Sequence, residues 1–372
     1  MSIGNAHRSR RRRGRERAPS CPLVASTGGS GGQEMRAYRL RRHGTSASPV
    51  REDIPEPGPL GTTDVRVRIR ACSLNFRDLK VAQGAAYGPE VVEGLVPLSD
   101  ASGEVVEVGS EVWAVGVGDR VALTFNPDWD GGDWEDTPSG SGRGGRAPGV
   151  LCEEVVVGQR EVVRLAPHLT FEEGATLPCA AVTAWSALRA GPALLPGDTV
   201  LTQGTGGVSL FVLQLAKLFG ARVIITSSTE KKLARAAELG ADWGINYREH
   251  RSWHEAVLAA TGGRGADRVV DLGGRDTIEQ SMRSVRLRGT VCLVGVLSGA
   301  PSTGEIALNS RFPDIHSIKV GSRQEFDRLM TAVGHHGLAP VIDRVFPFDE
   351  GEAAYSWLRE GGHFGKVVIT VD

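Results

Sequence analysis

The stretch that decides the fold runs from Asp198 to Asn246, DTVLTQGTGGVSLFVLQLAKLFGARVIITSSTEKKLARAAELGADWGIN. In it the apolar run Thr199-Val200-Leu201-Thr202 meets Gln203-Gly204-Thr205-Gly206-Gly207-Val208-Ser209. A helical pattern follows through Leu210, Leu213, Leu215, Ala216 and Leu218 to Gly220. The second run, Arg222-Val223-Ile224-Ile225-Thr226, completes a βαβ unit, which closes with a right-handed crossover. A backbone without Cβ turns tightly and lies against a pyrophosphate, whose charge then faces the helix N-terminus. Gly204, Thr205, Gly206, Gly207 and Val208 therefore read as a dinucleotide-binding turn, with Ser209 at the third glycine position of the GxGxxG pattern.

After Ile225 the usual ribose-binding carboxylate is replaced by Thr226-Ser227-Ser228-Thr229-Glu230-Lys231-Lys232. The hydroxyls of Ser227 and Ser228 and the charge of Lys232 suit a 2′-phosphate better than a 2′-hydroxyl, so NADPH is expected rather than NADH. Glu230, past the strand end, is expected to face solvent on the next helix.

The chain has 372 residues, 40% of them hydrophobic and 23% charged, enough for two domains with proper cores. The formal charge of -1 gives no general pull toward nucleic acid or acidic membranes. Seven arginines against two glutamates make residues 1–34 basic, and the remainder is mildly acidic. That first segment, with Arg10-Arg11-Arg12-Arg13, has no apolar run of the kind a signal peptide needs, and reads as a disordered basic extension before Met35. No run of 18 apolar residues suggests a transmembrane helix. The five cysteines, Cys21, Cys72, Cys152, Cys179 and Cys292, are odd in number and unpaired in spacing, which points to a reducing, cytoplasmic setting.

From Met35 the chain reads as short strands. Val65-Arg66-Val67-Arg68-Ile69-Arg70 alternates with period two, and glycine turns separate further runs, as in a small barrel-like β domain. Asn75-Phe76-Arg77-Asp78, then Ser102-Gly103-Glu104-Val105, then Val117-Gly118-Asp119-Arg120-Val121, then Gly204-Thr205-Gly206-Gly207-Val208 stand in the order of the medium-chain dehydrogenase/reductase superfamily. Over residues 35 to 372 the chain resembles that superfamily, and within it the zinc-independent quinone oxidoreductase and enoyl reductase branch.

The resemblance implies a doubly wound Rossmann parallel sheet plus a GroES-like β-barrel domain, with the catalytic domain at 35–178 and 336–372 and the cofactor domain at 179–335. It implies that Lys232 and Tyr247, in Ile245-Asn246-Tyr247-Arg248, hold the NADP 2′-phosphate. In the zinc enzymes the first metal ligand stands where this chain has Asn75, the second where it has Ser99 followed by Asp100, and the third at Cys179. Two of three ligands are lost, and the segment 126–150 has no cysteine for a structural zinc, so no metal is expected. Cys179 then reads as a small buried hydrophobe.

A site without metal acts by positioning and hydrogen bonding, which favours hydride delivery to a quinone, an enone or another activated double bond. Asn75 is the candidate polar group beneath the nicotinamide or the substrate carbonyl. Asp78 either braces this loop or takes part in catalysis. Tyr87 is the candidate proton donor, one residue further along than the family spacing. The segment 125–150, rich in Gly, Asp and Trp, is expected to be a surface loop, either a lid or a linker.

The rest follows the order of a doubly wound sheet. A helix is expected at 277–287, a buried strand at 290–296, a sixth strand at 317–322, and a return to the first domain through 341–346, 353–358 and 365–369. Ligands sit beyond the carboxyl ends of such strands, so Gly273, Gly295 and Val296 are expected near the nicotinamide. Lys366 resembles a cofactor-contacting lysine, although a strand lysine is more often a solvated charge. His168, His316, His335, His336 and His363 have no triad or metal spacing.

The partner expected is a small-molecule substrate, with nucleic acid and membrane both disfavoured. A homodimer is expected, with 290–296 supplying an edge. Two other functions fit the residues: an alcohol dehydrogenase or carbonyl reductase working without zinc, and a nucleotide-binding protein of low turnover that holds nucleic acid through its basic N-terminus.

Overall fold

A computed structural model describes residues 33–84, 92–134, 142–145, 147–295 and 311–372. Tyr87, Val296 and residues 1–32 lie outside the described residues. Strands β1 (Glu34–His43) and β2 (Ser46–Pro55) pair antiparallel as a two-stranded ribbon. The alternation of β3 (Asp64–Leu74) works as read: Val65, Val67 and Ile69 are buried, while Arg66 meets Glu107 at 2.9 Å and Arg68 meets Glu154 at 3.2 Å. A short helix α1 (Phe76–Ala82) follows, then β4 (Asp100–Val108), β5 (Arg120–Leu123), β6 (Glu154–Gly158) and β7 (Val162–Arg164).

Helix α2 (Phe171–Ala175), a wide π-type turn at Leu177–Ala181 and helix α3 (Val182–Arg189) lead into the second sheet. Its strands are β8 (Thr199–Gln203), β9 (Arg222–Ser227), β10 (Trp243–Asn246), β11 (Ala266–Asp271), β12 (Val285–Leu293) and β13 (Asp314–Ser317). They are joined by α4 (Gly207–Leu218), α5 (Glu230–Glu238), α6 (Trp253–Ala260) and α7 (Ile278–Ser284). The order is β10-β9-β8-β11-β12-β13 and every pair is parallel. β8 and β11 are buried at every position, as strands covered on both faces must be.

After α8 (Arg323–His336) the chain adds β14 (Ile342–Phe346), α9 (Gly351–Glu360) and β15 (Lys366–Thr370). These last strands join the first sheet, whose order is β14-β15-β3-β4-β5-β7 with β6 also on β3. Val65, Val67, Ile69, Val367 and Ile369 pack there against Tyr355 and Phe346. The fold class read from the sequence is the one found.

Several boundaries differ. The helix expected at 277–287 ends at Ser284, because Val285 is already extended and opens β12, five residues before the strand was expected. The strand expected at 317–322 lies instead at Asp314–Ser317. Val320 sits at a φ of 57°, which breaks an extended run, and Ser322 caps α8 by accepting from Glu325 N at 3.3 Å. β12 lies between β11 and β13, so the outer strand beyond it is β13 and the run from Thr290 supplies no edge.

The 125–150 segment is not a wholly exposed loop. Phe125, Asn126 and Arg143 are buried, and Arg143 pairs with Glu161. Trp129 and Trp134 pack edge to face at 4.9 Å. Among the described residues no helix is long and apolar enough to cross a membrane.

Candidate active site

β8 stands at the centre of its sheet, between β9 and β11, and the crevice beyond its carboxyl end is where such sheets take ligands. Gly204 has a φ of 75°, the turn an L-residue resists, and Gly206 caps α4 in extended conformation. A Cβ on Gly207 would come within 2.5 Å of Lys366 Cδ, so the glycine makes room for that lysine. Ser209 replaces the third glycine without strain: its Oγ donates to Gln203 O at 2.6 Å. Val208 packs against the core. Thr205 O accepts from Gly365 N at 3.0 Å, which ties the turn to the start of β15.

Gln203 was not singled out from sequence, yet it organises the neighbouring strand ends. Its Nε2 donates to Asp271 at 3.1 Å and its Oε1 accepts from Leu272 N and Gly273 N. Gly295 N donates to Asp271 O at 3.2 Å, and Gly273 follows two residues after Asp271. These N–H groups are satisfied within the protein, and what the glycines leave for a dinucleotide is a strand end without side chains.

At the end of β9, Tyr247 N donates to Ser227 O at 3.0 Å and Thr229 Oγ1 accepts from Lys232 N. Ser227 is buried, Ser228 is half-buried and Tyr247 is exposed. Lys232 Nζ donates to Gly361 O at 3.3 Å. Burial lowers the Lys232 ammonium below its ordinary range, and the charges of Arg235 and Arg248 push it further down against the pull of Asp343. Burial and the same lysine lower His363.

Lys232, Arg235 and Arg248 thus share one electropositive region that suits a phosphate. Arg235 was legible as the next turn of the Lys232 helix face. His363 arrives from the far end of the chain and gave no signal. Glu230 is exposed as expected but also accepts from Asn246 Nδ2 at 2.9 Å, tying α5 to β10.

The other end of the crevice is built on α1, β4 and β15. Lys366 is not a solvated strand charge: it is 3% exposed. Its Nζ donates to Leu74 O at 2.7 Å and Asn75 Oδ1 at 2.6 Å, and lies 3.9 Å from Asp100. Asp100 is fully buried; it accepts from Ser99 Oγ at 2.7 Å and from Cys179 N at 3.2 Å. Burial pushes the Asp100 carboxyl up, with Lys366, the Asn75 amide, Ser99 and Cys179 N–H drawing it back. Burial likewise pushes Lys366 down, countered by Asp100.

Asp100 entered the sequence reading only as the residue after Ser99; a carboxylate directly following a lost ligand position was the available signal. Cys179 is half-buried in the π-type turn, with its thiol held neutral by burial and by Asp100. Asp78 braces Asn75, accepting from Asn75 N at 2.7 Å, and burial raises it to about 6 against the pull of Arg77. Arg77 donates to Arg143 O at 2.8 Å and lies over Phe125, which anchors the 125–150 segment beside this pocket. Among the described residues no group of three or more His, Cys, Asp and Glu side chains could hold a metal ion.

Residues 61–167 match the family described as the alcohol dehydrogenase GroES-like domain, and residues 207–334 the family described as zinc-binding dehydrogenase. A zinc-type alcohol dehydrogenase-like protein of Schizosaccharomyces pombe is 35% identical over 86% of this chain and 94% of its own length. A quinone oxidoreductase of Pseudomonas aeruginosa is 35% identical over 67% of this chain and 69% of its own. The crystal structure of a putative alcohol dehydrogenase from Sinorhizobium meliloti superposes with a TM-score of 0.82 at 40% identity, over 92% of this chain and 100% of that one.

Proposed function

This chain belongs to the medium-chain dehydrogenase/reductase superfamily of oxidoreductases, and on that premise we propose that it is an NADPH-dependent reductase of quinones, enones or other activated double bonds that works without zinc. The observation that carries the reading is the Lys366 ammonium lodged against Asn75, which stands where the resemblance puts the first zinc ligand, and 3.9 Å from Asp100, the residue after the second such position. A divalent cation there would be repelled by that ammonium and would find Asn75 and Ser99 in place of a Cys and a His.

In this reading Gly204, Thr205, Gly206, Gly207 and Val208 hold the pyrophosphate. Ser227, Ser228, Lys232 and Tyr247, with Arg235 and Arg248, hold the 2′-phosphate, while Gly273, Gly295 and Val296 flank the nicotinamide. The bound cofactor supplies a hydride. Asn75 donates to the acceptor's carbonyl oxygen, Asp78 keeps the Asn75 loop in place, and Tyr87 gives the proton. The substrate lobe is 35–178 with 336–372 and the cofactor lobe 179–335. We also read the chain as a homodimer, and its odd, scattered cysteines fit a reducing cytoplasm.

The test is oxidation of NADPH and NADH by chelator-treated protein against a quinone, an enone and a simple ketone. Turnover with NADPH and an enone or quinone, unchanged by the chelator, is expected. A requirement for added zinc, a preference for NADH, or activity confined to secondary alcohols with NADP+ would reject it.

A further inference from the structure

Lys366 has two neighbourhoods. Its stem passes Gly207 in the glycine turn of the parallel sheet, and its head ends in the other sheet, on Leu74 O, Asn75 Oδ1 and beside Asp100. An ammonium has three donors and no acceptor, so the amide atom facing it must be the oxygen. Asp100 lies on the other side of the same amide and is drawn toward ionisation by it. A reversed amide would set its N–H groups against the ammonium and its oxygen against the carboxylate. Both charges therefore demand one orientation, which the hydrogen-bond pattern alone settles.

In that orientation Asn75 Nδ2 is buried with two N–H bonds: Asp100 is the acceptor on its side, beyond normal hydrogen-bond geometry, and no other acceptor among the described residues meets the group. A buried donor left open costs free energy that a ligand oxygen recovers. We propose that Lys366 and Asp100 are positioning residues that lock the Asn75 carboxamide so that an Nδ2–H is held for the carbonyl oxygen of the acceptor. The inference rests on the reading of Asn75 given above. It makes the enzyme selective for acceptors that carry a carbonyl on the reduced double bond over those that carry none. Lys366 then acts through Asn75 rather than by contacting the cofactor.

The test compares Asn75→Ala, Lys366→Met and their combination, with NADPH affinity measured separately by cofactor fluorescence. Removing a preorganised donor lowers kcat by about 10²-fold, and either single change is expected to fall in that range with the NADPH Kd moved by less than about threefold. The double variant is expected to be no slower than the slower single, because the two act as one unit. Effects that multiply overturn the proposal, as does a tenfold or greater rise in NADPH Kd at unchanged kcat in Lys366→Met.

Should Lys366→Met fail to fold, Lys366→Gln replaces it, since an uncharged amide no longer dictates which way Asn75 faces. The carboxamide resonances of 15N-labelled asparagine, with Asn75 assigned by its loss in Asn75→Ala, give a readout that needs no turnover. The Asn75 pair is expected to shift when 2-cyclohexenone is added with NADP+, and not to shift in Lys366→Gln. A shift that persists in Lys366→Gln overturns the proposal, whereas absent turnover with a normal shift rejects only the reductase reading.

Discussion

Two lysines sit at opposite ends of the same crevice, and their surroundings differ in kind. Lys366 is enclosed, meets a backbone carbonyl and an amide oxygen, and has Asp100 at 3.9 Å. Lys232 stands near Arg235 and Arg248, which weaken its hold on a proton, and near Asp343, which strengthens it, and its ammonium donates to the Gly361 carbonyl. The first is a closed electrostatic unit, whereas in the second Lys232, Arg235 and Arg248 have Asp343 as the carboxylate that acts on the lysine, so an arriving anion adds to the balance. A buried charge must carry its partner with it, but a phosphate site works best when the partner is the ligand.

The sharpest way to break this comparison is Asp100→Ala, which leaves the Lys366 ammonium buried without its carboxylate. A loss of about 3–5 kcal/mol in urea unfolding is expected, partly restored by adding Lys366→Met. A loss under about 1 kcal/mol would show that the pocket is not a closed pair.

Next is Asp78, whose folded pKa of about 6 lies above the ordinary 3.8. Between pH 4 and 6 the folded chain keeps a proton that the unfolded chain has released, so this group's contribution to stability falls as pH rises through that window. Asp78→Asn removes the titration. Wild type should therefore lose up to about 3 kcal/mol relative to the variant from pH 4 to pH 7, read from urea midpoints.

Gly207→Ala touches both regions, because its new methyl displaces the Lys366 stem. About 1–3 kcal/mol of stability should go, with weaker NADPH binding in the same titration. The smallest effect concerns the open region. Lys232→Ala should weaken NADPH about tenfold and leave NADH unchanged, and an equal loss for both cofactors would remove the lysine from the 2′-phosphate site.

Much of this was legible in the chain. The βαβ unit of β8, α4 and β9 announced itself, because strand, glycine turn and helix are contiguous and each obeys its own period. Lys232, on α5 just past β9, and Tyr247, just past β10, were singled out by the residue types that follow β9 and by the family resemblance. The boundary errors have local causes that no periodicity reports. Val285 leaves the helical pattern for the sheet, and Val320 takes a left-handed conformation between two otherwise regular segments. The 125–150 segment looked like a surface loop because its composition is polar and glycine-rich, yet Arg143 buries itself against Glu161 and the Arg77 contact.

The sequence by itself determined the two sheet types and the glycine turn, and it showed Asn75 and Ser99 where the resemblance expects zinc ligands, because each depends on residue identity within a short window. Only the tertiary structure decided what those residues face. Asn75, Asp100 and Lys366 come from the end of one strand, the start of another and the last strand of the chain, nearly three hundred residues apart at the extremes. Whether a lysine so placed is a solvated charge or the buried partner of an aspartate is a matter of desolvation. Desolvation depends on what the rest of the chain packs around it, and no stretch of sequence contains that information.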